Sequence, residues 1–324
     1  MTDIDAGARV DVTRTDHVRA TAPGGAEDGL RLSFVDVDGV RIAMWSAGDP
    51  TANALVLVHG SRANRAWWAG MVPLLVKDRH VVLIELSGHG RSDHRGRYSW
   101  GTWAAEVAAV VRRVGGPATV VGHSLGGVVS AVTAAAYPQL VNHLVVFDAY
   151  PRGLGMGERR PRRVHPRRYY RTREELAARF RLRPAQDLPG PELTRRLLDA
   201  GMTQTPSGWT WSSDPAVRAD WDDPVLARSV SRIVCPTTWI FSQHTEHLHS
   251  EAARRIPEES SAPYVMASVP GTHHHLILEK PEVCSALLAM TWPQRVERGH
   301  CYGERASRSP ELAVGEGTAR SVAQ

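Results

Sequence analysis

Cysteine, lysine and long apolar runs are what this chain of 324 residues has least of. Its three cysteines, Cys235, Cys284 and Cys301, are odd in number and lack metal-ligand spacing. That excludes a disulfide framework and suits reduced thiols in a cytoplasm. Cys284 falls in a helical pattern and reads as a small core residue. No stretch of about 18 apolar residues occurs, which excludes a membrane-spanning helix. The opening MTDIDAGARVDVTRTD is polar and has no apolar h-region, so it does not read as a secretory signal. The expectation is a cytoplasmic protein with no membrane partner.

Lysine is confined to Lys77 and Lys280, so arginine carries the net charge of +5. Between Pro151 and Pro184, twelve arginines stand against three glutamates. Such a run can meet nucleic acid, a membrane surface or an acidic substrate. No zinc-finger, helix-turn-helix or RNA-binding signature accompanies it, which argues against nucleic acid. A solvated arginine face and a site for an anionic substrate remain.

Regular alternation of strand and helix patterns is what the chain does have. Residues 1–28 are polar and aperiodic and read as a loose tail, as do residues 293–324. Leu32, Phe34 and Val37, then Val40, Ile42 and Met44, alternate across Asp38-Gly39, the pattern of a hairpin. Apolar, β-branched runs follow at 54–58, 81–84, 118–121 and 144–147, and Cys235 to Phe241 returns to the sheet. Runs of this kind suit strands buried on both faces of a parallel sheet. Helical spacing separates them at 66–76, 100–114 and 128–136, and a last strand at 264–269 precedes a last helix at 281–290. The fold class is therefore α/β, a mostly parallel, doubly wound sheet. Residues 29–150 and 231–292 carry that pattern, and residues 151–230, rich in Arg, Pro and Trp, interrupt it with two short helical stretches, 173–181 and 191–200.

Reactive groups in such sheets gather beyond the carboxyl ends of the strands. Four loops start there: His59-Gly60, Ser124, Asp148 and His273-His274-His275. The segment Gly122-His123-Ser124-Leu125-Gly126 is a G-x-S-x-G turn between an apolar strand and a small-residue helix. This is the setting of a nucleophile elbow, in which a strained reversal presents the serine hydroxyl beside the first free N–H groups of a helix. The plainer alternative is a Gly-rich turn with Ser124 as a helix cap. A serine nucleophile needs a base and a group to orient that base. His273, His274 and His275 are the base candidates. Neighbouring residues point different ways and no second ligand cluster has suitable spacing, so no metal site is expected.

At this point the chain resembles the α/β-hydrolase family. The resemblance rests on His59-Gly60, Gly88-His89-Gly90-Arg91-Ser92-Asp93, Gly122-His123-Ser124-Leu125-Gly126-Gly127 and the loop from Gly271 to Pro281, and covers roughly residues 30–292. It implies a cofactor-free serine hydrolase, carboxylesterase- or thioesterase-like, acting on a small acyl substrate through an acyl-Ser124 intermediate. C–C hydrolase, peptidase and cofactor-free haloperoxidase activities use the same three-residue chemistry, and a non-catalytic binding protein on this fold is a further alternative. Oxyanion donors by the resemblance are the N–H groups of Ser61 and Leu125. In the family the base commonly lies about seven residues before a Glu-x-Pro proline that opens the last helix; carried onto Glu279-Lys280-Pro281 the resemblance implies His274, with His273 the alternative if the count starts at Gly271. The family's usual acid position, after the seventh strand of the sheet, holds Thr245. Asp148, after the sixth, is then the expected acid, with Glu246 the alternative. Residues 151–230 sit where relatives insert a helical cap, between the sixth and seventh strands. His59, Gly60, His123, Trp209 and Trp211 are the expected substrate contacts.

Overall fold

A computed structural model describes residues 29–150, 166–217, 224–245 and 256–290. Both tails, residues 151–165 of the cap, Glu246 and Cys301 lie outside the described residues. Contacts group residues 1–292 into one unit, to which all described residues belong, and 293–324 into a second.

Eight strands form the central sheet: β1 (Arg31–Val37), β2 (Val40–Ala47), β3 (Ala54–Val58), β4 (His80–Glu85), β5 (Ala118–His123), β6 (Val141–Phe147), β9 (Thr237–Ser242) and β10 (Tyr264–Val269). Between β6 and β9 the small pair β7 (Met202–Thr205) and β8 (Gly208–Trp211) makes a separate hairpin. The sheet order is β1-β2-β4-β3-β5-β6-β9-β10. Only β2 runs against its neighbours, and every other pairing is parallel. The mostly parallel, doubly wound sheet read from the sequence is thus the observed fold class.

Burial explains why the central strands are unbroken apolar runs. Every residue of β3, β4 and β5 is buried. Alternate side chains feed two cores. Val56, Val58, Val82, Ile84, Val120 and Val146 pack with α2 (Trp100–Arg113) and α3 (Leu125–Ala136) on one face. Leu55, Leu57, Val81, Leu83, Val121 and Val145 pack with Trp67, Trp68, Leu276 and Leu288 on the other. Helix α2 starts where the Ser99 hydroxyl accepts the Thr102 N–H at 3.1 Å. The pattern at 66–76 folds as two pieces rather than one helix, a 3₁₀ turn Arg65–Trp68 and α1 (Val72–Leu75). Gly70 and Pro73 interrupt it, Pro being suited only to a helix's first turn.

Within the cap, α4 (Arg173–Ala177) and α5 (Pro191–Gly201) occupy the two expected helical stretches. Besides these helices the segment carries the hairpin of β7 and β8. Thr203, Thr205, Trp209 and Trp211 favour an extended backbone, and the two residues Pro206 and Ser207 turn the hairpin. Helix α5 lies against the 3₁₀ turn at Arg65–Trp68, in the segment that follows β3. Among the described residues no helix is long and apolar enough to cross a membrane.

Candidate active site

The turn between β5 and α3 holds Ser124 at φ 54°, ψ −123°, a conformation L-residues rarely adopt. Two glycines make that turn possible. A Cβ on Gly122 would lie 2.2 Å from the Gly126 carbonyl oxygen, and one on Gly126 would lie 2.2 Å from that of Val58. The backbone closes around the serine with Ser124 N–H donating to Phe147 O at 3.0 Å and Gly127 N–H donating to Ser124 O at 2.9 Å.

His274 Nε2 stands 2.8 Å from Ser124 Oγ, and its Nδ1 stands 2.6 Å from Asp148 Oδ2. A carboxylate only accepts, so Nδ1 carries the proton and the Nε2 lone pair faces the serine hydroxyl. Asp148 is fully buried after β6. Its Oδ1 accepts the Ser242 N–H at 2.9 Å and the Ser242 hydroxyl at 3.0 Å, so the end of β9 aims the carboxylate. His273 is not brought to the serine: its side chain is 55% exposed and lies 3.4 Å from Glu279. Glu246 lies outside the described residues, and Thr245 is buried.

The loop after β3 runs against the nucleophile, since a Cβ on Gly60 would sit 3.3 Å from Ser124 Cβ. Ser61 follows in that loop, and Leu125 is the first residue of α3, where helical geometry leaves its N–H without a helical partner. His59 was expected to touch substrate, and the structure corrects this. Its ring is fully buried, with Nδ1–H donating to Gly60 O at 2.8 Å and Nε2 accepting the Leu86 N–H at 3.2 Å. Burial pulls its pKa down to about 4, so the ring is neutral and structural.

His123 is corrected in the same way. It is buried, and its Nε2–H donates to the His274 carbonyl at 2.8 Å, so it holds the backbone of the histidine loop. Trp209 and Trp211 are half-buried in β8. Trp209 pairs its backbone with Tyr170, and Trp211 meets Phe180 at 6.0 Å between ring centres and accepts from Arg167.

Sequence reasoning missed two supports. His89 Nε2 accepts the Arg62 N–H at 3.1 Å, which fixes the loop just past Ser61. Buried Glu85 accepts from Arg65 N–H, Arg91 N–H and Trp45 Nε1 at 3.3, 2.8 and 3.2 Å. His89 stood in view in Gly88-His89-Gly90, but which backbone its ring would meet is a tertiary fact. Among the described residues, His123, His274 and His275 place ring nitrogens within 4.8 Å of one another. A metal there would take one ring nitrogen of His274, the one that faces Ser124 or the one that faces Asp148. Burial and the adjoining histidines push His275 down to about 2.

Residues 55–287 match the model of the alpha/beta hydrolase family. Among curated relatives, a serine hydrolase-like protein of Danio rerio is 33% identical over 115 residues, 34% of this chain and 35% of that protein. A pimeloyl-[acyl-carrier protein] methyl ester esterase of Aeromonas hydrophila is 36% identical over 99 residues, 30% of this chain and 38% of that one. The chain thus spans little more than a third of the length of these relatives. Among solved structures, a thioesterase domain from the curacin biosynthetic pathway aligns at TM-score 0.67 and 21% identity, over 80% of this chain and 99% of its own. Epoxide hydrolase A from Mycobacterium thermoresistibile aligns at 0.60 and 18%, over 80% and 97%. At these identities the structural likeness speaks for the fold.

Proposed function

The chain belongs to the alpha/beta hydrolase family, and from that premise we propose that it is a serine hydrolase cleaving an ester, thioester or lactone through an acyl-Ser124 intermediate. The observation that carries this is the hydrogen-bonded series Ser124–His274–Asp148, at 2.8 and 2.6 Å. In the first half-reaction Ser124 Oγ bonds to the acyl carbon while His274 Nε2 takes its proton. Asp148 stabilises the resulting imidazolium and holds the ring in place. Charge building on the carbonyl oxygen meets the N–H groups of Ser61 and Leu125, each worth about 3 kcal/mol in such a role. Collapse breaks the bond to the alcohol or thiol, which leaves with the proton from Nε2. Water then repeats the sequence on the acyl-enzyme and frees the acid.

Haloalkane dehalogenase and epoxide hydrolase chemistry on this fold uses an aspartate nucleophile, and Ser124 argues against both. Thr245 at the family's usual acid position is what favours a non-catalytic binding role; the contact of Asp148 with His274 weighs against it. The arginine-rich cap supports an anionic substrate, such as a phosphopantetheine thioester. An open surface pocket in this insertion is lined by Tyr170, Glu175, Ala178, Arg179 and Arg181, and one relative bears the name of an acyl-carrier-protein ester esterase. Turnover of p-nitrophenyl acetate and butyrate tests the main reading. Ser124→Ala is expected to lose about six orders of magnitude in kcat, to the limit of detection. Background rates in the wild-type protein would favour the binding role.

A further inference from the structure

The base of the proposed series sits in a loop with no strand partner, so something other than the sheet must hold it still. Three side chains do so, and they come from three parts of the chain. His123, at the end of β5, donates to the His274 carbonyl at 2.8 Å. Glu279, from the short helix Leu276–Glu279, accepts the His273 N–H through Oε2 at 3.0 Å. Gln186 reaches in from the cap, where its Oε1 accepts the His275 N–H at 3.0 Å. The Gln186 amide also donates to Glu279 Oε1 at 2.5 Å. The N–H on each side of His274 is therefore held by one member of a Gln186–Glu279 pair.

The strap bearing Gln186 is itself anchored. Leu182 is 3% exposed and belongs to the same apolar cluster as Trp67, Leu276 and Ile277. Phe180 and Leu193 pack against that cluster from the cap. The polar clasp is thus built on an apolar dock between the cap and the histidine loop.

We infer that Gln186 is a positioning residue, a cap side chain that fixes the loop of His274 and so makes seating of the cap a condition for a competent base. The inference rests on the serine-hydrolase reading above. Its physical basis is the steep cost of misplacing a general base, since displacement by about 1 Å can cost about a hundredfold in rate. Losing the Gln186 acceptor frees the His275 N–H and leaves the loop on His123 and Glu279, with the hold from the insertion gone.

Steady-state kinetics, fluorophosphonate labelling rates and thermal midpoints of Gln186 variants test it. Gln186→Ala is expected to lower kcat and the labelling rate by roughly tenfold each, with KM within about twofold. Gln186→Glu sets two carboxylates face to face and should be at least as slow. Gln186→Glu combined with Glu279→Gln exchanges the two roles within the same geometry and should recover most of the rate. The exchange also keeps the test open if Gln186→Ala fails to fold. Activity surviving in Ser124→Ala would overturn the reading of the site itself. An inactive Ser124→Ala beside a folded Gln186→Ala of wild-type kcat, or an exchange variant no faster than Gln186→Glu, would overturn the role of Gln186 alone.

Discussion

Ser124 holds a backbone conformation that suits glycine better than any side chain, at φ 54°. Positions of this kind cost about 1–3 kcal/mol, a cost that persists only where the surroundings impose it. Removing the hydroxyl two ways isolates that cost. In an ordinary position alanine is more stabilising than glycine. Here Ser124→Gly should unfold at higher urea than Ser124→Ala, by about 1 kcal/mol in unfolding free energy; the usual order would show that the turn is relaxed. Asp148 has a separate prediction. Asp148→Asn keeps the size of the side chain but presents an amide N–H or a weaker acceptor to His274 Nδ1, which disturbs the tautomer. Its kcat should fall by about 10³–10⁴ with KM little changed, as loss of the acid costs elsewhere. Residue identities were legible to different depths. Ser124 was readable because the elbow is local, whereas the choice among three adjacent histidines turns on loop geometry that only the fold supplies. Asp148 was reachable by its place after a buried strand. His59 and His123 misled because a histidine beside a reactive loop gives no sign of whether its ring faces the cleft or the core.

Loops and short elements hold the site more than the long helices do. The turn after β3 is secured by two neutral rings, His59 and His89, both pulled down by burial. Neutral burial has a pH signature of definite sign. With a folded pKa of about 4 against 6.5 unfolded, His59 binds its proton first in the unfolded chain. Its stabilising contribution is therefore complete above about pH 6.5 and is lost as pH falls toward 4. Urea unfolding at pH 7 and pH 5 should show a loss about 2 kcal/mol larger for wild type than for His59→Gln, which can keep both hydrogen bonds. Equal losses would place the ring in contact with water. His89, His143 and His275 act with the same sign, while Glu106, pushed up by burial, opposes them. At this scale the cap was the least legible part. Helices α4 and α5 announce themselves by periodicity, but a four-residue strand such as Gly208–Trp211 is too short to betray its period, and its partner strand is mostly polar.

Within the larger unit, the described residues form a sheet in which β5, β6 and β10 are followed by Ser124, Asp148 and His274, which meet. That architecture was legible because β3, β4 and β5 are buried on both faces, so sequence hydrophobicity and position in the sheet are the same fact. The Gln186–Glu279 hydrogen bond was not legible, since the two residues are 93 apart and Gln186 belongs to no motif. If the arginines recognise an anionic substrate, acyl-CoA turnover should fall with rising salt relative to a neutral ester, and Arg179→Ala with Arg181→Ala should flatten that dependence. Parallel salt curves for both substrates would leave the arginines as solvated surface. The central claim is that Ser124, activated by His274, is acylated. Intact-mass measurement of the folded protein after fluorophosphonate treatment tests it most directly. The account predicts a single adduct mapped to Ser124, absent from Ser124→Ala and much slower in Asp148→Asn. An unlabelled wild-type protein, or equal labelling of Ser124→Ala, would contradict it.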